Sequence, residues 1–331
     1  MKKILDQLFD YEPLTTEQAR ELFLGIAEGK YNHAQLSSLI TVFLMRNISL
    51  QELSGFRSGL LALAKPIDFG THDYIDIVGT GGDGKDTFNV SSCAAVVVAA
   101  SNYKVVKHGN YGASSVSGAS NVMENHGVKF TDSNDILNRS LEQTNLAYLH
   151  APMFNSAMKA VAPVRKDLGI RSFFNMLGPL INPATPKYQL LGVYNLAMQR
   201  LYCYMFQQNK SDFAVVHSLD GYDEISLTSQ FSVSSTNGEK IYSPEDLGFE
   251  RAAQSALYGG ETPQEAAKIF SSVLDGTSTK AQKDCVIANA AFAINVIESQ
   301  KDIKECIAIA TEAIDSGKAL STFKKFIEIN S

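Results

Sequence analysis

The stretch YIDIVGTGGDGKDTFNVSSCAAVVVAA, residues 74–100, reads as a strand, a glycine-rich turn and an apolar helix in direct succession. β-Branched residues ahead of a glycine cluster favour a strand over 74–78. Further short apolar runs predict strands at 103–106, 147–150, 189–194 and 213–218, with helical stretches between them. Strands alternating with helices build a largely parallel sheet, because parallel neighbours need a crossover. The fold class is therefore α/β, with a mostly parallel central sheet in the larger of two domains.

Upstream of this unit the pattern is helical only. Thr15 with Gln18, Asn32 with Gln35 and Ser49 with Glu52 each put a capping side chain three residues before Glu or Gln. That spacing satisfies free N–H groups at a helix start. Leu22 and Ile26, then Leu36, Leu39, Ile40 and Phe43, then Phe56, Leu60 and Leu61 recur at helical spacing, and Pro66 closes the region. Downstream, residues 163–186 are rich in Pro and Gly and interrupt the alternation, as a connector returning to the helical part would. After residue 263 the chain is helical again, with Ala288, Ala291, Phe292 and Val296 marking one buried face. The expected organisation is a small helical domain over 1–70, joined by the connector 163–188, and an α/β domain formed by 71–162 and 189–331.

Composition narrows the function. The 331 residues suit two domains, and 45% hydrophobic with 19% charged residues is the balance of a folded globular protein. A net charge of -6 without a long basic run argues against a nucleic-acid partner. Cys93, Cys203, Cys285 and Cys306 are widely spaced, which indicates neither a zinc site nor a disulfide framework. The start, MKKILDQLFDYEP, is broken by Asp6 and Asp10 and is not a signal peptide, and no apolar run reaches the ~18 residues of a membrane span. A cytoplasmic enzyme without a membrane partner is expected.

Gly79, Gly81 and Gly84 fit the dinucleotide fingerprint G-x-G-x-x-G. In that motif the helix opens within the glycines and an acidic residue follows about 20 positions on. Here DTFNVSS intervenes, and the next strand leads into Lys107 and His108. No G-K-[ST] closes the run, so it is not a P-loop either. What remains is a loop whose N–H groups, with Asn89, Ser91 and Ser92 at the helix start, can surround phosphate oxygens. A tight turn with Ser91 merely capping the helix is the structural alternative.

A second loop, KHGNYGASSVSGASN at 107–121, follows the second strand. Lys107 offers charge there, and Ser114, Ser115 and Ser117 offer donors. Ligands of open α/β sheets bind beyond the carboxyl ends of strands, so two such loops would face one cleft. Asp223 and Glu224 follow the last predicted strand. An acidic pair is usually a solvated loop. At the same sheet edge it would repel an anionic substrate unless divalent cations bridged them, as Mg²⁺ does with carboxylates and phosphates. Ser91 would add a hydroxyl ligand.

These elements, in this order, resemble the anthranilate phosphoribosyltransferase family over nearly the whole chain, including RKDLGIRSFFNMLGPLINPA at 165–184. The resemblance implies transfer of the phosphoribosyl group of 5-phosphoribosyl 1-diphosphate to anthranilate, in tryptophan synthesis. It also implies a homodimer joined through the helical domain. Gly79, Gly82, Asp83, Thr87, Asn89, Val90, Ser91 and Ser92 match the family's contacts to the phosphoribosyl donor. So does the run Lys107, His108, Gly109, Asn110, Tyr111, Gly112, Ala113, Ser114 and Ser115, together with Ala119. Gly79, Asn110 and Arg165 match positions that meet anthranilate, while Ser91, Asp223 and Glu224 match metal positions. Lys107, Asp223 and Glu224 are the catalytic candidates. Without the resemblance, Arg165 reads as a surface salt bridge.

This chain departs from the family where Tyr111 replaces a common Arg, and where Ala119 and Asn121 stand in S-G-A-S-N instead of S-G-S-A-D. Departure of pyrophosphate would leave positive charge on the ribose and negative charge on the leaving group, which Mg²⁺ and Lys107 would stabilise. An aromatic amine is uncharged at neutral pH and needs no strong base. The nearest alternative is an enzyme like pyrimidine nucleoside phosphorylase, which has no need of the acidic pair; a nicotinamide oxidoreductase and a non-catalytic ligand sensor are others.

Overall fold

The computed structural model describes residues 1–112, 115–209 and 211–331. The chain divides into two units, Met1–Ile67 with Ala151–Thr185, and Asp68–His150 with Pro186–Ser331.

The first unit begins with helices Lys2–Phe9, Thr16–Ala27, His33–Met45 and Leu50–Leu63. All three expected capping boxes are formed, at Thr15, Asn32 and Ser49. Helices Thr16–Ala27 and Leu50–Leu63 meet at Gly55, where any Cβ would overlap the Thr16 carbonyl oxygen, so their backbones touch. Glu52 is wholly buried and carries more than its cap. Its carboxylate accepts from Leu14 N–H at 2.9 Å, from Ser49 N–H at 2.8 Å and from the Arg46 guanidinium. Burial works against its charge, but Arg46 and these N–H groups outweigh it and hold the carboxyl below its ordinary range.

The domain boundary differs from the expected one. The strand Leu146–His150 ends at the boundary, and residues 151–162 join the helical unit. Phe154 is buried there, and its carbonyl accepts from Lys65 N–H at 2.8 Å. The supposed connector also contains helices Ala162–Leu168 and Phe174–Leu177. Phe173 sits 4.7 Å from the Phe43 ring and 4.9 Å from the Phe56 ring, so this segment completes the aromatic core of the first unit. Pro163 lies in the first turn of its helix, and Gly169 ends it in the left-handed conformation. Both residues are helix punctuation here, although they read as loop signals.

The second unit is built on a seven-stranded sheet, ordered β3-β2-β1-β4-β5-β6-β7. Its strands are β1 (Ile75–Gly79), β2 (Val105–Gly109), β3 (Leu146–His150), β4 (Tyr188–Gly192), β5 (Asp212–Ser218), β6 (Phe231–Ser235) and β7 (Gly238–Tyr242). The first five are parallel, as expected. β6 and β7 were not anticipated; they form an antiparallel hairpin at the edge. Residues 238–241 are exposed, so this polar edge carries no apolar run to betray it.

Helix Val90–Ala100 is buried along nearly its whole length. It packs against helix Lys280–Ile297. That helix was expected to bury one face, yet every residue from Cys285 to Ile294 is buried, because its other sides cover β4, β5 and helix Ile303–Asp315. Among the described residues no helix is long and apolar enough to cross a membrane.

Candidate active site

The chain leaves β1 to build β2 and β3 on one side and returns to place β4 on the other, so the strand order reverses between β1 and β4. Ligands of such sheets bind at this reversal, beyond the carboxyl ends of the strands. Gly79 ends β1, Gly192 ends β4, and the two lie in register. Asp223 crosses over both. A Cβ at Gly79 would overlap the Asp223 carboxylate, and one at Gly192 would overlap the Asp223 carbonyl oxygen. The absence of side chains at these two strand ends is therefore what admits the acidic loop to the cleft.

Beyond Gly79 the turn runs through left-handed glycines at 81, 82 and 84. Gly81 N–H donates to Asp223 Oδ2 at 2.6 Å, tying the turn to the acidic loop. The same turn brings in Asp83. Carboxylate oxygens of Asp83, Asp223 and Glu224 lie within 4.8 Å of one another. Burial and the neighbouring Asp83 push the Asp223 carboxyl up to about 7. Burial also raises Asp83. Glu224 is driven well up by burial, then by Asp223 and Asp83, and its Oε2 is buried without a hydrogen-bond partner. Like charges held this closely favour protons, or a cation, between them.

A cavity of about 10 Å³ opens between Gly79, Ser91, Gly192, Asp223 and Glu224. The donor set is oxygen only, which suits a hard divalent cation and excludes the soft-ligand metals. The orphaned Glu224 oxygen and the converging carboxylates fit Mg²⁺. Asp83 had been expected among phosphate contacts; it stands with the acidic pair.

Lys107 does not present a free charge to the cleft. It is 1% exposed, and its ammonium donates to the Ile77 carbonyl and, at 3.2 Å, to Ser91 Oγ. Burial lowers it to about 8, opposed by the nearby Asp76 carboxylate. Lys107 is expected to stabilise the leaving group, and its bond to Ser91 Oγ links its charge to a residue that lines the cleft.

Helix Val90–Ala100 starts at the end of the glycine turn. Ser92 N–H donates to Asn89 Oδ1 at 2.8 Å, and Asn89 Nδ2 donates to the Ser117 carbonyl at 2.7 Å. The Asn89 amide thus ties the helix cap to the second loop, with one N–H and one oxygen lone pair left over. Thr87 Oγ1 and Ser92 Oγ, by contrast, are buried without hydrogen-bond partners. Val90 is buried and can offer a ligand only its backbone.

The second loop docks on the first through Ser117 Oγ, which donates to the Thr87 carbonyl at 2.6 Å and lies 3.5 Å from Ser115 Oγ. His108 is buried, and its N–H donates to Asp76 Oδ1 at 3.3 Å. Gly109 lies against the Tyr148 hydroxyl with no room for a Cβ. Asn110 is exposed, with Oδ1 accepting from Tyr111 N–H at 2.8 Å. Gly112 N–H donates to Asn121 Oδ1 at 2.9 Å. Ala119 opens helix Ala119–Asn125. Ala113 and Ser114 lie outside the described residues.

Arg165 belongs to the helical unit. Among the described residues no carboxylate pairs with it, so the salt-bridge reading falls. It donates to Asn175 Oδ1 at 3.3 Å, its guanidinium lies 5.8 Å from the Phe174 ring centroid, and burial lowers its pKa.

Two parts of the glycosyl transferase family match the chain, the helical bundle domain over residues 2–64 and the a/b domain over residues 71–320. The anthranilate phosphoribosyltransferase of Bacteroides fragilis strain YCH46 is 62% identical over 330 residues, covering 100% of both chains. That of Bacteroides thetaiotaomicron is 60% identical over 331 residues, again covering 100% of both. The chain belongs to the anthranilate phosphoribosyltransferase family. The crystal structure of the Thermus thermophilus anthranilate phosphoribosyltransferase superposes with a TM-score of 0.92 at 31% identity, over 98% of each chain. The Saccharomyces cerevisiae anthranilate phosphoribosyltransferase, solved in complex with PRPP and Mg, gives 0.90 at 27% identity over 98% and 96%.

Within this family the departures of the present chain acquire local explanations. Asn121 accepts the Gly112 N–H with an oxygen that an Asp would supply equally. Tyr111, in place of an Arg, meets the His150 ring edge-on at 5.2 Å and donates to Glu124 at 3.3 Å. Sequence reasoning missed Gly192 and Asn289, both of which line the small cavity beside Asp223 and Glu224. The signal for Gly192 was available, as a glycine inside a predicted strand. Asn289 sits among apolar residues of a helix, where a lone Asn carries no motif.

Proposed function

We propose that this chain transfers the phosphoribosyl group of 5-phosphoribosyl 1-diphosphate to the amine of anthranilate, giving N-(5-phosphoribosyl)anthranilate and pyrophosphate. The observation that carries this reading is the meeting of a glycine turn and three carboxylates at the strand-order reversal of a family-typical sheet.

Asp83, Asp223 and Glu224, with Ser91, would hold Mg²⁺. Bound there, the cation would neutralise charge on the diphosphate as it departs. The unpartnered hydroxyls of Thr87 and Ser92 and the N–H groups of the turn, including those near Gly79 and Gly82, donate to diphosphate oxygens. The backbone of Asn110 to Gly112 and the hydroxyl of Ser115 receive the remaining phosphate. Lys107 acts by polarising Ser91, and its positive charge is fixed before the reaction begins, so no reorganisation is required as negative charge develops.

Arg165 pairs with the anthranilate carboxylate, its planar fork matching two oxygens, and Asn110 and Gly79 orient the ring. No side chain is asked to deprotonate the amine, so positioning supplies much of the rate. We assign a cytoplasmic homodimer joined through the helical unit. The test is the loss of anthranilate fluorescence on adding the phosphoribosyl donor, which should require Mg²⁺. Turnover of a nucleoside with phosphate, and none of anthranilate, would overturn the assignment.

A further inference from the structure

The acidic loop lies outside any strand or helix, yet its main chain is held on both sides by side chains. The peptide joining Glu224 to Ile225 has its carbonyl bound by Ser218 Oγ at 2.7 Å and its N–H bound by Asn289 Oδ1 at 3.1 Å. Asn289 then closes a second bond, Nδ2 donating to the Ile225 carbonyl at 2.9 Å. One amide thus grips both polar groups of a single residue, much as a neighbouring strand would.

The amide orientation is fixed by chemistry, because Ile225 N–H can only donate and must face the oxygen. Nδ2 also donates to the Cys285 carbonyl at 2.8 Å, one turn back on the same helix. Asn289 is 4% exposed and sits in a run of ten buried residues, so its anchor is rigid. It also lines the small cavity between Asp223, Glu224 and Ser91.

We propose that Asn289 is a positioning residue for the cation site, fixing the Asp223-Glu224 backbone so that both carboxylates converge with Asp83. Left to itself, an irregular loop would move apart to separate like charges. The two bonds to Ile225 oppose that relaxation and keep the site preformed. This inference rests on the cation reading above and assigns one determinant of it.

The test is direct binding of Mn²⁺ alone, followed by the electron paramagnetic resonance signal of the free ion, with no substrate present. Asn289→Thr retains a hydroxyl that can bond the Cys285 carbonyl and most of the volume, but drops both bonds to Ile225. It should weaken Mn²⁺ binding at least tenfold. Asn330→Ala removes another buried amide of the same unit, one that bonds Ser140 Oγ and the Phe326 carbonyl. It should lower the melting temperature yet leave Mn²⁺ affinity within twofold.

Should Asn289→Thr not fold, Asn289→Ser makes the same deletion with less crowding. Asp223→Asn, run in parallel, separates the two readings. If it leaves Mn²⁺ binding intact, the cation reading fails and this inference with it. If it abolishes binding while Asn289→Thr stays within twofold of the unaltered enzyme, the inference alone is overturned.

Discussion

Gly192, at the carboxyl end of β4, lies so close to the Asp223 carbonyl oxygen that a Cβ there would overlap it. The obstacle is backbone on both sides and cannot swing away. Gly192→Ala should therefore lower Mg²⁺-dependent turnover about 100-fold and shift the melting temperature down, whereas Gly79→Ala, which meets the Asp223 carboxylate, should fold better and lose mainly cation affinity. Steady-state rates against Mg²⁺ concentration, alongside thermal melts, distinguish the two.

Asp223 gives a pH dependence with a definite sign. An acid raised to about 7 in the fold, against about 3.9 when unfolded, costs stability once pH passes the lower value, and the cost is complete above the higher one. In chelator, the melting temperature of Asp223→Asn relative to the unaltered protein should rise between pH 5 and pH 8. A flat difference would contradict the assigned crowding. Turnover of the same variant should be severely reduced.

Lys107, lowered to about 8 by burial, should lose its proton above that pH. The rate is then expected to fall on the alkaline side with an apparent value near 8, and Lys107→Met to cost about two orders of magnitude at neutral pH. The rate of Lys107→Met should lack that alkaline limb.

Arg165→Lys should raise KM for anthranilate about tenfold, as the loss of one charge-assisted bond of about 1.4 kcal/mol requires, with little change in KM for the phosphoribosyl donor. Equal changes in both constants would remove Arg165 from the anthranilate side.

Glu52 tests the helical unit. With its pKa lowered in the fold, it contributes stability that is full above the unfolded value near 4.3 and lost as pH falls through the folded one. Glu52→Gln leaves the half-buried Arg46 without a counter-charge and should cost roughly 3 kcal/mol in denaturant unfolding at pH 7.

Local signals were the legible ones. Three capping boxes, five parallel strands and the glycine turn each depend on residues a few positions apart. So does the Asp223-Glu224 pair, which follows a strand within a few residues. What escaped notice depends on distant approach. Asp83 joins the acidic group only because left-handed glycines fold the turn back under residue 223. Asn289 grips a residue 64 positions away, and the burial direction of Lys107 follows from its neighbours across the sheet. Pro163 and Gly169 look the same in a loop as at the ends of a helix, which is why the helical character of 163–186 stayed hidden.

The crowding of Asp83, Asp223 and Glu224 has a consequence for the protein's lifetime in a cell. A cation that relieves repulsion in the folded chain and finds no such cluster in the unfolded one favours folding by mass action. Scarcity of magnesium would then do more than idle the enzyme. It would enlarge the unfolded fraction open to proteases, so that abundance as well as rate would follow the supply of the ion.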